Sequence, residues 1–367
     1  MTAGCSFTNE PVYFENYKEN LTQAGSAGSE NSQENVSLQP YEDALRTDPE
    51  RSFFEWWYFD ASFEDGSSAV IVFATKDIIN PKGKLDPIAD IVITDSDGNR
   101  VSYSDRPGAG SFRASGEHLD TAVGESRVSG DLNNIKVFYN AAGITARLNF
   151  KSAAPAWKPA GGKLVFGKKK DKYFGWLPAM PYAEVEGTLN YNGKDINVKG
   201  HGYHDHNWGN VKLSEVLSQW YWGRARIGDK TVIFSEMLTA PKYGSLKIPV
   251  FYFAEGNKII SSSDYNMLLQ PSDWNTNKDG HDYPERLDVE INDSDNSFNF
   301  AITGDKIIDE KNLLEQLSPL VQRLASLFVR PYYFRFDSSY SVEYDGQIYE
   351  GRGIYELMVL RGKQTIR

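Results

Sequence analysis

The stretch Trp57-Tyr58-Phe59-Asp60-Ala61-Ser62-Phe63 leads through Glu64-Asp65-Gly66 into Val70-Ile71-Val72-Phe73, and it has a counterpart far downstream. There, Trp220-Tyr221-Trp222-Gly223-Arg224-Ala225-Arg226 leads through Gly228-Asp229-Lys230 into Val232-Ile233-Phe234. The two halves also close alike. Leu189-Asn190-Tyr191-Asn192-Gly193 runs on to Gly200-His201-Gly202-Tyr203, and Val342-Glu343-Tyr344-Asp345-Gly346 runs on to Gly351-Arg352-Gly353-Ile354-Tyr355. The openings are offset by 163 residues (57 to 220) and the closings by 151 (200 to 351). Similar ends at nearly one offset predict two copies of a single β-domain. The alternative is that unrelated hairpins happen to look alike.

Outward from these stretches the chain is a succession of short alternating or β-branched runs, at 69–73, 88–94, 135–139, 146–150, 187–191, 232–234, 298–302 and 340–344. Asp97-Gly98, Asn192-Gly193 and Asp345-Gly346 follow three of them, and Asx-Gly between such runs is a strong hairpin signal. Strands at this spacing predict an antiparallel barrel or sandwich. Helical periodicity is convincing once, at Leu313, Leu314, Leu317, Leu320, Val321, Leu324 and Phe328. Pro319 should kink or divide that amphipathic helix. A shorter turn is expected over 213–217.

With 367 residues the chain can bury a core without disulfides, and a single cysteine, Cys5, leaves no intramolecular disulfide to form. A net charge of −11 argues against nucleic acid, because phosphate-binding domains carry basic surfaces. The longest apolar run, 69–74, is far short of the ~20 residues of a membrane-spanning helix. Residues 1–40 read as a disordered leader, and the chain as given reads as cytoplasmic. Thr2-Ala3-Gly4-Cys5 also resembles the end of a bacterial lipoprotein signal, which would make this an anchored or exported protein whose signal has been removed.

Three of the five histidines fall in His201-Gly202-Tyr203-His204-Asp205-His206-Asn207-Trp208-Gly209. In extended geometry His204, His206 and Trp208 share one face, and Tyr203, Asp205 and Asn207 share the other. Three readings stay open. A histidine with a nearby carboxylate handles protons; a His-x-His pair on a strand binds metal; or a buried, fully hydrogen-bonded network joins two domains. No second cluster has ligand spacing, so no metal site is expected. Downstream, Phe234 and Glu236 share a face, and a carboxylic acid facing an apolar cavity has the raised pKa that a general acid needs. Trp57 and Tyr58, between Glu55 and Asp60, read either as core aromatics or as ligand contacts.

At these motifs the sequence resembles the two-domain lipocalin-like proteins that include the AttH-like proteins and carotenoid 1,2-hydratase. Fungal decalin-forming Diels–Alderases share that architecture. The resemblance rests on Glu55-Trp56-Trp57-Tyr58, the segment 202–209 and Trp220-Tyr221-Trp222-Gly223-Arg224, and spans roughly residues 45–365. It implies an all-β fold of two tandem lipocalin-like barrels or sandwiches, at 41–210 and 211–367. It also implies acid chemistry on a lipophilic polyene or isoprenoid, without metal or organic cofactor. The family's His-x-Trp pair corresponds to His206 and Trp208. Its Tyr-x-Asp pair corresponds to Phe234 and Glu236, both changed in type, and a phenylalanine there lacks the phenol.

The expected partner is a lipophilic small molecule in an apolar cavity, and the expected chemistry is proton-initiated hydration or cyclisation, or templating of a pericyclic closure. Catalytic candidates are His204, Asp205, His206, Trp208 and Glu236. Ligand-binding candidates are Trp57, Tyr58, Tyr203, Asn207, Trp220, Trp222, Arg224 and Phe234. The rival is a non-catalytic lipophile carrier, possibly at the cell envelope. A closed cavity with Glu236 facing a histidine would mark the enzyme. Glu236 turned outward, with His204 and His206 bonded to backbone, would mark the carrier.

Overall fold

The structure is a computed structural model that describes residues 9–14, 38–77, 83–263, 266–292, 297–312 and 331–361. The helix expected over 313–328 and the Cys5 motif lie outside the described residues. Among those described, the regular secondary structure is almost entirely antiparallel strand, in two sheets. The first sheet contains β1 (Val12–Phe14), β2 (Phe54–Phe63), β3 (Ser68–Ala74), β4 (Ile88–Thr94), β5 (Arg100–Asp105), β6 (Phe112–Ala114) and β7 (Leu119–Val123). It continues with β8 (Ser126–Gly130), β9 (Asn134–Ala141), β10 (Ile144–Ser152), β11 (Lys163–Phe166), β12 (Lys172–Tyr191) and β13 (Lys194–Gly209). A single helical turn, α1 (Leu213–Val216), leads to the second. That sheet contains β14 (Leu217–Ile227), β15 (Lys230–Thr239), β16 (Lys247–Glu255), β17 (Lys258–Ser263), β18 (Met267–Thr276), β19 (Asp282–Asn292), β20 (Ser297–Asn312), β21 (Tyr332–Tyr344) and β22 (Gln347–Val359).

The sheet orders show the internal repeat in space. The first runs β5-β4-β3-β2-β13-β12-β10-β9-β8-β7-β6, and the second runs β17-β16-β15-β14-β22-β21-β20-β19-β18. In each, the strand opening the repeat (β2, β14) lies between its hairpin partner and the last strand of its own sheet. Each is a meander rolled until first meets last, as in a lipocalin-like barrel. The roll opens at one matching place: consecutive strands β5 and β6, and likewise β17 and β18, sit at opposite ends of their paths.

The turns follow from the sequence. Asn192 and Gly193 (φ 52° and 72°) and Asp345 and Gly346 (φ 51° and 68°) are two-residue loops closing the β12–β13 and β21–β22 hairpins. Both central residues need positive φ, which asparagine, aspartate and glycine tolerate. In β12, Pro178 and Pro181 have no N–H for the ladder and lie in two register shifts flanking Met180.

Each sheet encloses its own core. Trp57, Phe59, Phe73, Ile91, Val128 and Phe150 fill the first, and Phe234, Phe251, Phe300, Phe334, Phe336 and Tyr355 the second. A third core lies between the sheets, where Trp176 and Tyr203 of the first meet Trp222, Ile233, Met237, Val250 and Tyr252 of the second. Strand β15 therefore has both faces covered, and all ten of its residues are buried.

Within the segment read as a disordered leader, Val12–Phe14 is instead a strand paired with β11, with Val12 and Phe14 buried in the inter-sheet core. A β-branched and an aromatic residue, two apart, give even this short strand an apolar face to bury.

Candidate functional site

Alternation along β13 sorts the motif residues onto two faces, and the structure divides them as the extended geometry requires. His204 and His206 point into the first sheet's core and are fully buried. His204 Nδ1 donates to the Tyr58 carbonyl at 2.9 Å, its Nε2 reaches Asp43 Oδ2 at 3.0 Å, and its ring stacks on Phe59 at 4.0 Å. Burial alone would lower the His204 pKa, but the Asp43 charge and the two hydrogen bonds outweigh it and hold the pKa above its ordinary value. His206 Nε2 lies 2.8 Å from Glu55 Oε1, and its ring stacks on Trp57 at 4.7 Å.

Glu55 is itself saturated. Arg46 N–H donates to Oε1, and Thr47 donates to Oε2 through both its N–H and its hydroxyl. Trp208 is buried beside Leu177 and Ala179, covering the bare backbone of Gly175. The two histidines thus tie the segment around residues 43–47 to the sheet. The ring nitrogens of His204 are committed to Asp43 and Tyr58, and His206 Nε2 to Glu55. Among the described residues, no group of three or more His, Cys, Asp or Glu side chains could hold a metal ion.

The opposite face of β13 looks toward the second sheet. Asp205 Oδ2 accepts from Trp176 Nε1 and from the Tyr203 hydroxyl, each at 2.9 Å, and its Oδ1 accepts from Asn207 Nδ2 at 2.8 Å. Burial pushes the Asp205 pKa up to about 6, against the opposing pull of those donors and of His204. Around it stand the aromatic faces of Trp176, Tyr203 and Trp222, the last two 5.3 Å apart.

An ion cluster flanks this group and joins the sheets. Asp60 bonds Arg224 through Oδ1 and Arg335 Nη2 through Oδ2, the latter at 2.9 Å. The Tyr58 hydroxyl donates to Asp60 at 3.0 Å and accepts from Arg335 Nη1 at 2.6 Å. Arg335 also pairs with Glu356 at 3.5 Å, and Tyr333 donates to the same carboxylate. Burial raises the Glu356 pKa in spite of Arg335.

Glu236 is elsewhere. It shares a face with Phe234 as expected, but that face is turned to the second sheet's own core, and Glu236 pairs there with the exposed Lys247 at 3.1 Å, at the solvent end of that face. Burial raises its pKa and Lys247 opposes the rise.

The candidates therefore form three groups. Trp57, His204, His206 and Trp208 lie in or beside the first core. Phe234 and Glu236 lie in the second. Tyr58, Tyr203, Asp205, Asn207, Trp222 and Arg224 lie between the sheets, with Trp220 half-buried at the same seam. Neither arrangement set out to separate enzyme from carrier is met in full: Glu236 faces inward but meets no histidine, and His204 is bonded to both backbone and a carboxylate.

Sequence reasoning passed over Asp43, Asp60, Trp176, Arg335 and Glu356. Alternation held a signal for Arg335, because Tyr332, Phe334 and Phe336 claim the inner face and leave the arginine outward.

The two described cavities differ in character. One, about 610 Å³ and largely polar, opens at the gap between β5 and β6 beside Tyr103, Arg113 and Asn140. The other is an apolar groove between the sheets, lined by Phe14, Leu164, Phe174, Trp176, Met237 and Val250, with about 20 Å³ free. That holds about one water. The roomy apolar chamber expected from the sequence is thus not among them, because aromatic side chains fill both sheet interiors.

A family model described as AttH-like matches residues 46–307. A quinolone epoxide rearrangement protein of Emericella nidulans is 23% identical over 267 residues, which are 64% of this chain and 68% of that protein. An acyclic carotenoid 1,2-hydratase of Rhodobacter capsulatus is 44% identical over 59 residues, 16% of this chain and 20% of the hydratase. The crystal structure of a putative AttH from Nitrosomonas europaea superposes with a TM-score of 0.60 at 17% identity, covering 92% of this chain and 98% of that one.

Proposed function

The chain belongs to the AttH-like family, and from that premise we propose that it is an enzyme that transforms a hydrophobic small molecule, with Asp205 as the proton donor. The family's relatives here include an epoxide rearrangement protein and a carotenoid hydratase, and both names describe chemistry that a proton can start. The observation that carries the reading is the carboxyl of Asp205, buried among aromatic faces on three donors, where burial pushes its pKa up to about 6. An acid near the working pH combines a useful protonated fraction with a real tendency to give the proton up.

In this reading Asp205 protonates an alkene carbon or an epoxide oxygen of the substrate. The carboxylate left behind keeps its three donors, Trp176, Tyr203 and Asn207, which stabilise the charge as it forms. The π faces of Trp176, Tyr203 and Trp222 face the cationic carbon skeleton. Water capture, with loss of one of its protons to the Asp205 carboxylate, then gives hydration, and attack by a second double bond, with loss of a proton from the resulting cation to the same carboxylate, gives cyclisation. His204 and His206 act as positioning residues, fixing β13 from its other face. Glu236 serves the packing of the second sheet.

The test is conversion of a panel of lipophilic polyenes and epoxides, read by mass spectrometry of organic extracts. Asp205→Asn should lower turnover by about 10²–10⁴-fold, the usual contribution of a general acid. Glu236→Gln should stay within a fewfold of wild type. Full activity in Asp205→Asn, or its loss in folded Glu236→Gln, would overturn the assignment.

A further inference from the structure

A chain whose net charge is −11 carries one compact basic run, Lys168-Lys169-Lys170-Asp171-Lys172. In the structure this run is the tip of the β11–β12 hairpin, with Lys168, Lys169 and Lys170 exposed. Asn210, leaving β13 toward α1, donates to the Asp171 carbonyl, so the tip stands where the chain crosses to the second sheet.

The second sheet brings cations to the same edge. Glu10 bridges the two: its Oε2 accepts from the Lys168 N–H at 3.3 Å, and its own N–H donates to the Lys242 carbonyl in the turn between β15 and β16. Arg361, just past β22, donates to the Ser214 carbonyl of α1. Partial burial, and then the like charges of Lys172 and Arg361, lower the Lys242 pKa from its ordinary value.

These cations are crowded and yet unpaired. Elsewhere on the surface Arg127 pairs with Asp120, Lys230 with Glu255, Arg286 with Asp288 and Arg352 with Asp337. None of Lys168, Lys169, Lys170, Lys172, Lys242 and Arg361 makes an ion pair among the described residues. Lys170 lies over the Tyr13 ring at 4.0 Å and Lys242 over Tyr243 at 4.8 Å, contacts that leave the charges unneutralised. The carboxylates nearby, Glu10, Asp171 and Glu215, are outnumbered two to one. A positive edge on an acidic protein is complementary to an anionic surface.

We propose that this edge docks the protein on an anionic lipid bilayer, with the six cations on the headgroups and the seam between the sheets set above the leaflet. A flat surface meets this edge alone, and a Debye length of about 8 Å screens the acidic remainder of the chain from it. The candidate acid is close behind. Lys172 opens β12, and Trp176, which holds Asp205, follows four residues on, about 13 Å at strand rise. The large hydrophobic side chains that are exposed, Tyr41, Tyr103, Leu268, Ile308 and Ile348, belong to none of these elements, so the attachment is electrostatic and reversible. The inference gives the protein a partner beyond the acid chemistry, a surface in which hydrophobic molecules collect.

The experiment mixes the full chain with vesicles of phosphatidylcholine, alone or with phosphatidylserine, and reads binding by sedimentation. Wild type should bind the anionic vesicles at low ionic strength, leave them as salt is raised, and ignore the neutral ones. Lys168→Gln with Lys169→Gln and Lys170→Gln should weaken binding by about 10²-fold, at about fivefold per lysine. Lys136→Gln with Lys151→Gln and Lys199→Gln makes the same change in net charge at exposed positions elsewhere on the first sheet, and should stay within a fewfold of wild type.

Equal binding to neutral vesicles, no binding to anionic ones, or unchanged affinity in the hairpin variant would overturn the proposal. Capture of a polyglutamate peptide without any vesicle binding would overturn it in favour of an acidic protein partner. Asp205→Asn should dock as wild type does, so the docking and the acid can fail separately.

Discussion

His206 Nε2 and Glu55 Oε1 lie 2.8 Å apart, and solvent reaches neither side chain. Glu55 also accepts from Arg46 and Thr47, so one carboxylate pins a histidine of β13 and the segment entering β2 at once. Glu55→Ala should destabilise the protein by about 3–5 kcal/mol, because it strands a buried partner and several donors. Urea denaturation, with the midpoint lowered at unchanged slope, is the check.

The His204–Asp43 pair makes stability depend on pH. The folded-state pKa of His204 lies above that of an unfolded histidine, so its stabilisation is complete below about pH 6.5. That contribution is lost as pH rises through the folded-state value. The gap in urea midpoint between wild type and His204→Asn should therefore be widest in mild acid and narrow in alkali.

Between the sheets, Asp60 pairs with Arg224 and Arg335 together. Asp60→Ala should cost about 3–5 kcal/mol by leaving two guanidinium groups without their shared anion. Replacing all three residues with apolar side chains of similar size should recover only part of that loss, because Glu356 then loses its Arg335 partner. Thermal unfolding of the single and triple variants distinguishes the two outcomes.

Gly175 tests how closely Trp208 is fitted. A Cβ at that position would sit 2.3 Å from the indole ring, so Gly175→Ala must push the ring aside. We expect a loss of about 1–3 kcal/mol, the usual cost of overpacking. A change in tryptophan fluorescence should accompany it.

Much of this architecture was legible in the chain. The repeat between 57–73 and 220–234 predicted two sheets of one design, and the Asn-Gly and Asp-Gly pairs marked their closing hairpins. Alternation also separated His204 and His206 from Asp205 correctly. What it could not supply was partners. Asp43 is 161 residues from His204 and Asp60 is 275 from Arg335, and only the rolling of the sheets brings such pairs together.

Glu236 shows the same limit from the other side. The family resemblance matched it to an acid position and alternation put it on one face with Phe234, but neither told which of two sheet interiors it would enter. Phe14 was passed over because a short apolar pair in a polar leader gives no signal until its groove is visible.

The pH profile of kcat/KM for a converted polyene, in wild type and in Asp205→Asn, tests the central claim most directly. If Asp205 is the acid, the wild-type rate falls about tenfold per pH unit above about 6, and Asp205→Asn is slow and lacks that break. A wild-type profile flat through pH 6, or the same break persisting in Asp205→Asn, would contradict it.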